Sequence, residues 1–204
     1  SCASHLRSIG FDCEISIICE ENFYPYQRPP LSKKFLTGHI LADRLLLKKM
    51  AYYKTNNIQV FLSNKAIKID RDNKKIHLQN GEKIYYTKLV IATGSRAKKL
   101  PLDEKESYSN IFYLRNLHDA KNLKNFLIRG KKILIIGGGY LGLEVASACS
   151  SFGINTTVIE RSDRILKRVA GEPTAAYLKQ ILSTNGVEVI ENEFVKKINN
   201  NDNI

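Results

Sequence analysis

Cysteine is scarce in this chain and poorly spaced for chemistry. The four cysteines, Cys2, Cys13, Cys19 and Cys149, form no Cys-x-x-Cys pair and no metal-ligand spacing. That pattern argues against a metal centre or a disulfide framework, and suits small apolar fillers in a reducing, cytoplasmic compartment. Long apolar runs are also missing: none approaches the roughly 18 residues of a membrane span. No basic-plus-apolar leader opens the sequence, so it reads as soluble and not exported in the form given. Acidic residues are in deficit, 20 against 32 Lys and Arg, a formal net charge of +12. Such a balance raises a nucleic-acid or acidic-protein partner. The lysines are scattered, however, with local pairs at Lys48-Lys49, Lys74-Lys75, Lys98-Lys99 and Lys196-Lys197, and the chain is rich in Ile and Asn. This is a general compositional bias and a solvated basic surface. No nucleic-acid motif accompanies it, and an acidic protein partner stays open. The length of 204 residues allows one or two domains with a core.

What is present is concentrated in one stretch, Lys132-Ile-Leu-Ile-Ile-Gly-Gly-Gly-Tyr-Leu-Gly-Leu-Glu144. An apolar, β-branched run feeds into Gly-x-Gly-x-x-Gly (Gly137, Gly139, Gly142). A helical pattern follows through Val145, Ala148 and Cys149, then a turn at Phe152-Gly153 and a short strand, Thr157 to Ile159, ending on Glu160. Strand, glycine turn, helix, strand and acid is the order of a dinucleotide-binding unit. Gly137 lets the chain turn out of the strand. Gly139 lets a pyrophosphate approach the backbone at the positive helix end, and Gly142 lets helix and sheet pack closely. Glu160 lies 18 residues after Gly142, near the ~20 expected of an acid that accepts a hydrogen bond from a ribose 2′-OH. The alternative is a structural βαβ unit without a ligand.

The start of the chain repeats the second half of this unit. Ala3-Ser4 precedes Gly10 as Ala146-Ser147 precedes Gly153, and each glycine leads into an apolar strand ending on Glu, here Ile15 to Ile18 and Glu20. Residues 1–9 read as a helix with Cys2, Leu6 and Ile9 on its apolar face. By that register the matching glycines fall before Ser1, so the sequence is expected to begin inside a dinucleotide unit. Pro25, Pro29 and Pro30 then stiffen a segment carrying Arg28 and Lys33, with Ser32 placed to cap a following helix. Leu45 to Tyr53 reads as a basic amphipathic helix. Period-two segments at 66–69, 75–79 and 84–86, with Asn80-Gly81 between the last two, predict a meander. Leu89 to Ala92 reads as a buried strand entering the small-residue turn Thr93-Gly94-Ser95. A loop around Pro101 and Asp103 to Glu106 connects domains, Ile111 to Leu114 reads as a strand and Leu117 to Ile128 as a helix. Pro173 opens another helix to Ser183, Val187 to Ile190 forms a strand, and the tail 199–203 has no core-forming pattern.

Three ordered motifs, residues 25–33 (Pro-Tyr-Gln-Arg-Pro-Pro-Leu-Ser-Lys), 89–96 (Leu-Val-Ile-Ala-Thr-Gly-Ser-Arg) and 137–144 (Gly-Gly-Gly-Tyr-Leu-Gly-Leu-Glu), carry a resemblance over nearly the whole chain. It resembles the FAD-dependent pyridine nucleotide-disulfide oxidoreductases, within them the ferredoxin and rubredoxin reductases that serve oxygenase and cytochrome P450 systems. The resemblance implies an α/β fold of two Rossmann-like, doubly wound, three-layer domains with a β-meander, both incomplete. Residues 1–108 would be the FAD-binding domain and 109–204 the NAD(H)-binding domain. It implies that Glu20 binds the FAD ribose, that Arg28, Pro29 and Lys33 line the flavin, and that Ala66 meets the adenine. Ala92, Thr93, Gly94 and Arg96 would contact FAD, and Gly137, Gly139, Tyr140, Leu141, Gly142 and Glu160 the nicotinamide cofactor. Lys33 and Glu144 would form a desolvated pair beside the flavin, the two residues closest to the chemistry; otherwise Glu144 is a surface acid favoured by the helix N-terminus. Relatives that reduce disulfides carry a cysteine pair where this chain has Ser32-Lys33-Lys34-Phe35-Leu36, so electrons would leave for an external acceptor, a ferredoxin or rubredoxin-like protein. A redox-signalling flavoprotein of the apoptosis-inducing-factor type, or an NADH flavoprotein subunit such as that of nitrite reductase, is the alternative. Glu160 favours NADH over NADPH, with Arg161 beside it able to soften the preference. Glu160→Ala is expected to raise the KM for NADH and narrow the gap to NADPH in steady-state assays; an unchanged preference would remove Glu160 from that role.

Overall fold

The computed structural model describes residues 2–101, 108–128 and 130–198. The predicted connection at Asp103 to Glu106 and the tail 199–203 lie outside them. The chain divides into two compact units. One runs to Gln27 and resumes over Asp43–Ser95; the other comprises Arg28–Ala42 and the chain from Arg96 onward.

In the first unit, helix α1 (Cys2–Ser8) stops at Gly10, whose φ of +82° is a left-handed conformation open to glycine. Strand β1 (Ile15–Ile18) pairs in parallel with β2 (Ile58–Phe61), Ile15 opposite Ile58. Helix α2 (Met50–Thr55) precedes β2. Ile15, Tyr53 and Ile58 form the core, with Ala3 and Leu6 of α1 packed on it. Ile9 does not belong to that face: the helix ends at Ser8, and Ile9 is 64% exposed. One side chain ties the layers together. The Arg7 guanidinium donates to four carbonyls, those of Asn56 (2.7 Å), Asn57 (2.9 Å), Phe11 (2.6 Å) and Cys13 (2.8 Å).

The helix predicted over Leu45–Tyr53 is broken. A 3₁₀ turn covers Ala42–Leu45 and α2 begins only at Met50. Between them Leu46 makes an antiparallel bridge to Tyr26, in which Gln27 N–H donates to Leu45 O and Leu47 N–H to Pro25 O, both at 2.9 Å. Pairing with the proline-stiffened segment satisfies backbone groups that a helix would otherwise have satisfied internally. Strand β2 follows the tight corner at Asn57 (φ +50°) and is too short to betray itself by pattern.

The meander forms as its periodicity predicts: β3 (Ala66–Asp70), β4 (Lys75–Leu78) and β5 (Lys83–Tyr85), antiparallel in that order. Gly81, at φ +91°, makes the second turn. At the first, Asp70 accepts from the Asn73 backbone N–H and side chain and pairs with Lys75 at 3.2 Å. The Asn73 hydrogen bonds, with Lys75 assisting, hold its carboxyl down to about 2. The run at Leu89–Ala92 is neither a strand nor buried. Val90 and Ile91 are each 66% exposed, and no strand pairs with them among the described residues. A β-branched run becomes a strand only where a partner accepts its hydrogen bonds. Ile111–Leu114 is likewise irregular, although half-buried.

In the second unit, α3 (Leu117–Phe126) is capped by Asn116 and Asp119 in a reciprocal box. Parallel strands β6 (Lys132–Ile136), β7 (Asn155–Ile159) and β8 (Val187–Ile190) lie in that order, joined by α4 (Tyr140–Ser151) and α5 (Glu172–Thr184). Pro173 sits at the first turn of α5 and Gly186, at φ +78°, stops it. Ile135, Val158 and Val189 pack against Leu143 and Ala146 of α4 and Ala175 and Leu182 of α5. Their neighbours on the opposite face, Leu134 and Ile136, are 53% and 45% exposed, so helices cover one face of this sheet among the described residues. The expected α/β architecture with parallel sheets and a meander is the architecture observed.

Arg7→Ala is expected to destabilise the first unit by about 2 kcal/mol, the range for hydrogen bonds to a charged donor, read as a lower midpoint in urea unfolding. A midpoint equal to the parent would mean that these four bonds exchange with water at no cost.

Candidate functional site

The glycine turn is built as its sequence demands. Gly137 leaves β6 at φ +110°, closed by its N–H to Ile159 O at 2.8 Å. Gly142 is the tightest position: a Cβ there would lie 2.0 Å from the Gly137 carbonyl oxygen. No side chain fits that gap, so turn and helix approach each other only because residue 142 has none. Gly139 is the reverse. It caps α4 in extended backbone (φ −83°, ψ 179°), and a Cβ there would meet nothing within 4 Å. Glycine at 139 is thus unexplained by internal packing and leaves open space above the first turn of α4, where the backbone N–H groups have no acceptor in their own helix. Tyr140 and Leu141 flank that space, 59% and 46% exposed. This is the form of an anion cradle.

Glu160 closes the cradle from the end of β7. Its Oε2 accepts from Gly138 N–H at 2.7 Å and its Oε1 from Ser162 N–H at 2.8 Å. Desolvation works to raise its pKa, but the Ser162 and Gly138 backbone hydrogen bonds prevail and hold the carboxyl below its ordinary value. The acid is ionised and fixed in place. Gly138 is a second close-packed position of this turn, one the Gly-x-Gly-x-x-Gly pattern passes over. A Cβ there would lie 2.7 Å from Ile165 Cγ2 and 3.1 Å from Glu160 Cβ. Its carbonyl accepts from Leu166 N–H at 2.9 Å. The only signal in the sequence was a third consecutive glycine.

Lys33 and Glu144 meet, both within the second unit. Lys33 Nζ lies 2.8 Å from Glu144 Oε1, and Ser32 Oγ donates to Glu144 Oε2 at 2.5 Å. Pro29–Ser32 is a 3₁₀ turn, and the chain after it forms further turns instead of the helix that Ser32 was expected to cap. Ser32, 3% exposed, spends its hydroxyl on Glu144. The pair is not desolvated: the side chains are 50% and 29% exposed, which limits its own worth to about 1 kcal/mol or less. Arg28 donates to Arg115 O at 3.1 Å. Arg96 is exposed at the start of the second stretch of this unit.

The other residues expected at FAD lie in the first unit. Glu20 follows β1, with Lys65 Nζ 2.8 Å from its Oε1. Asn64 N–H donates to Cys19 O at 2.9 Å, and Asn64 Oδ1 is buried with no hydrogen-bond partner among the described residues. The unmet acceptor at Asn64 suits a group that carries hydroxyl or amino donors, such as an adenosine, and Lys65 holds the Glu20 carboxylate nearby in sequence. Ala66 opens β3, and Ala92, Thr93 and Gly94 lie in an exposed stretch where Gly94 takes φ +68°.

The chain matches the family described as pyridine nucleotide-disulphide oxidoreductase across residues 1–204. It is 38% identical over 182 residues to the rubredoxin-NAD(+) reductase of Pseudomonas putida, covering 89% of this chain and 47% of the relative. It is 33% identical to putidaredoxin reductase CamA of Pseudomonas putida, covering 90% and 44%. Among solved structures it superposes on the covalent putidaredoxin reductase–putidaredoxin complex with TM-score 0.89 at 32% identity, over 95% of this chain and 47% of that one. The ferredoxin reductase for the CYP199A2 system of Rhodopseudomonas palustris gives 0.92 at 29% identity, over 98% and 49%. The chain thus spans about half the length of the curated relatives it matches.

The two glycines separate packing from ligand contact. Gly142→Ala is expected to cost about 3 kcal/mol or more through overpacking. Gly139→Ala should leave stability within about 0.5 kcal/mol while weakening dinucleotide binding about tenfold, 1.4 kcal/mol. Thermal unfolding and calorimetric titration with NAD+ read the two effects, and undiminished binding by Gly139→Ala would contradict the cradle.

Proposed function

We propose, for a chain that belongs to the pyridine nucleotide-disulphide oxidoreductase family, that it is part of an NADH-dependent flavoprotein reductase serving a small iron–sulfur acceptor. The observation that carries this is the glycine turn with its opening at Gly139, closed by an ionised Glu160 fixed on Gly138 and Ser162. In this reading Gly137, Gly139, Tyr140, Leu141 and Gly142 hold the pyrophosphate and its flanks, and Glu160 accepts from the ribose hydroxyl. A fixed carboxylate repels a 2′-phosphate, which sets NADH above NADPH. Residues 109–204 are then the NAD(H)-binding domain and residues 1–108 the FAD-binding domain.

Glu20 would hold the ribose of FAD and Ala66 its adenine, Arg28, Pro29 and Lys33 would line the flavin, and Ala92, Thr93, Gly94 and Arg96 would make further contacts with FAD. When bound, the flavin supplies two-electron acceptance and one-electron donation. Lys33 offers an ammonium group to that chemistry, and Glu144 and Pro29 O hold its Nζ in place. Ser32 in turn orients Glu144.

Electrons leave without a protein dithiol. All four cysteines are free, and Ser32-Lys33-Lys34 stands where disulfide-reducing relatives were expected to carry their pair. The names of the relatives, reductases of rubredoxin and of putidaredoxin, support an iron–sulfur acceptor for this protein too. Free thiols also suit a cytoplasmic setting. The net charge of +12 would steer an acidic acceptor by long-range attraction.

Acceptor turnover should therefore fall steeply as ionic strength rises from about 0.01 to 0.15 M, where the screening length drops from roughly 30 to 8 Å. Stopped-flow reduction of an acidic ferredoxin measures it. A rate indifferent to salt would remove the electrostatic step.

A further inference from the structure

We propose that Glu191, anchored by Lys179, is a positioning residue for the dinucleotide site, holding the 163–166 turn beneath Gly138. The proposal rests on the nucleotide-binding reading of the glycine turn.

The turn that carries Ile165 and Leu166 is the floor of the cradle. Both side chains are buried, 0% and 4% exposed. Leu166 N–H donates to the Gly138 carbonyl at 2.9 Å, and Ile165 Cγ2 fills the space a Gly138 Cβ would need. Gly138 is therefore held at both of its polar groups: its N–H by Glu160 and its C=O by this turn. Within the turn Leu166 O accepts from Val169 N–H (2.9 Å) and Ala170 N–H (3.0 Å), and Arg164 donates to the Ala170 carbonyl (2.9 Å), but none of these bonds takes up the Ile165 N–H. Leu166 sits at φ +54°, a left-handed conformation that a branched side chain adopts only when its surroundings impose it.

The chain after β8 supplies the imposition. Main-chain hydrogen bonds run from Glu160 N–H to Ile190 O (2.8 Å), from Glu193 N–H to Glu160 O (3.1 Å) and from Asn192 N–H to Ser162 O (2.9 Å). Asn192, at φ +58°, bends the chain, and the residue just before it adds a side chain. Glu191 Oε1 accepts from Ile165 N–H at 2.9 Å, while its Oε2 receives Lys179 Nζ of α5 at 2.5 Å. The Glu191 side chain is 15% exposed against 29% for Glu144, and Lys179 39% against 50% for Lys33, so this is the better shielded of the two ion pairs. Without Glu191 the N–H of a fully buried residue loses its acceptor, and the turn must shift to find another. Movement there loosens Gly138, and with it the alignment of Glu160 and the first turn of α4.

The test compares Glu191→Ala, Glu191→Gln and Lys179→Met in the protein expressed from its natural reading frame, with ADP-ribose binding by calorimetry and steady-state NADH kinetics. Glu191→Ala should weaken ADP-ribose about tenfold, 1.4 kcal/mol, with the kinetic loss falling on KM more than on kcat. Glu191→Gln keeps an oxygen for Ile165 N–H but turns its NH2 toward Lys179, and Lys179→Met removes the ammonium; each loses the anchor but not the acceptor. Both should therefore weaken ADP-ribose by less than Glu191→Ala, about threefold, which keeps the proposal open to test if Glu191→Ala does not fold. Equal binding by Glu191→Ala and the parent would overturn it, as would a Glu191→Gln defect as large as that of Glu191→Ala, or parent-like binding by Lys179→Met. A parent protein that binds no ADP-ribose would instead overturn the nucleotide reading itself.

Discussion

The site depends on one close approach. The Gly137 carbonyl oxygen stands 2.0 Å from where a Cβ on residue 142 would be. That distance forbids every residue but glycine, and it lets α4 start directly over the end of β6. Its first-turn N–H groups then meet the space left by Gly139. If the helix were pushed back by a single methyl group, Ala146 would be lifted from Val158 and Leu143 from the same buried cluster, so the turn and the core share one tolerance. The glycine spacing is a packing constraint first and a binding motif second.

The carboxylate at the end of β7 depends on the same turn. Glu160 is held by Gly138 N–H, and Gly138 keeps its place through Ile165 and Leu166. A carboxyl whose pKa is lowered on folding contributes stability above its unfolded pKa and loses that contribution as pH falls through the folded value. At neutral pH Glu160 is thus both a stabilising contact and a ready acceptor for a hydroxyl donor.

The parts legible in sequence were those whose information is local. The βαβ unit from Lys132 to Glu160 wrote strand, turn and helix into consecutive residues, and the meander announced itself through alternation and Asn80-Gly81. Elements that depend on distant partners were not legible. β2 exists because β1 is there to pair with it, and no helix forms over Leu45–Leu47 because Pro25 and Gln27 bind it. Val90 and Ile91 have strand composition without a strand to join among the described residues. At the site, the glycines and Glu160 were named from spacing, whereas Ile165, Leu166 and Glu191 act through contacts across the C-terminal ends of β6, β7 and β8, and no short pattern in the sequence encodes them. Lys33 and Glu144, 111 positions apart by their numbers, were joined only through the family resemblance; their 2.8 Å contact is real, and their desolvation is not.

The most direct measurement is an anaerobic titration of the purified protein with NADH, followed through the flavin absorbance. The account predicts a bound flavin that bleaches with one equivalent of NADH, resists an equal amount of NADPH, and recovers its colour when an acidic iron–sulfur protein is added. A protein that carries no flavin, or whose flavin NADH leaves oxidised, would contradict it.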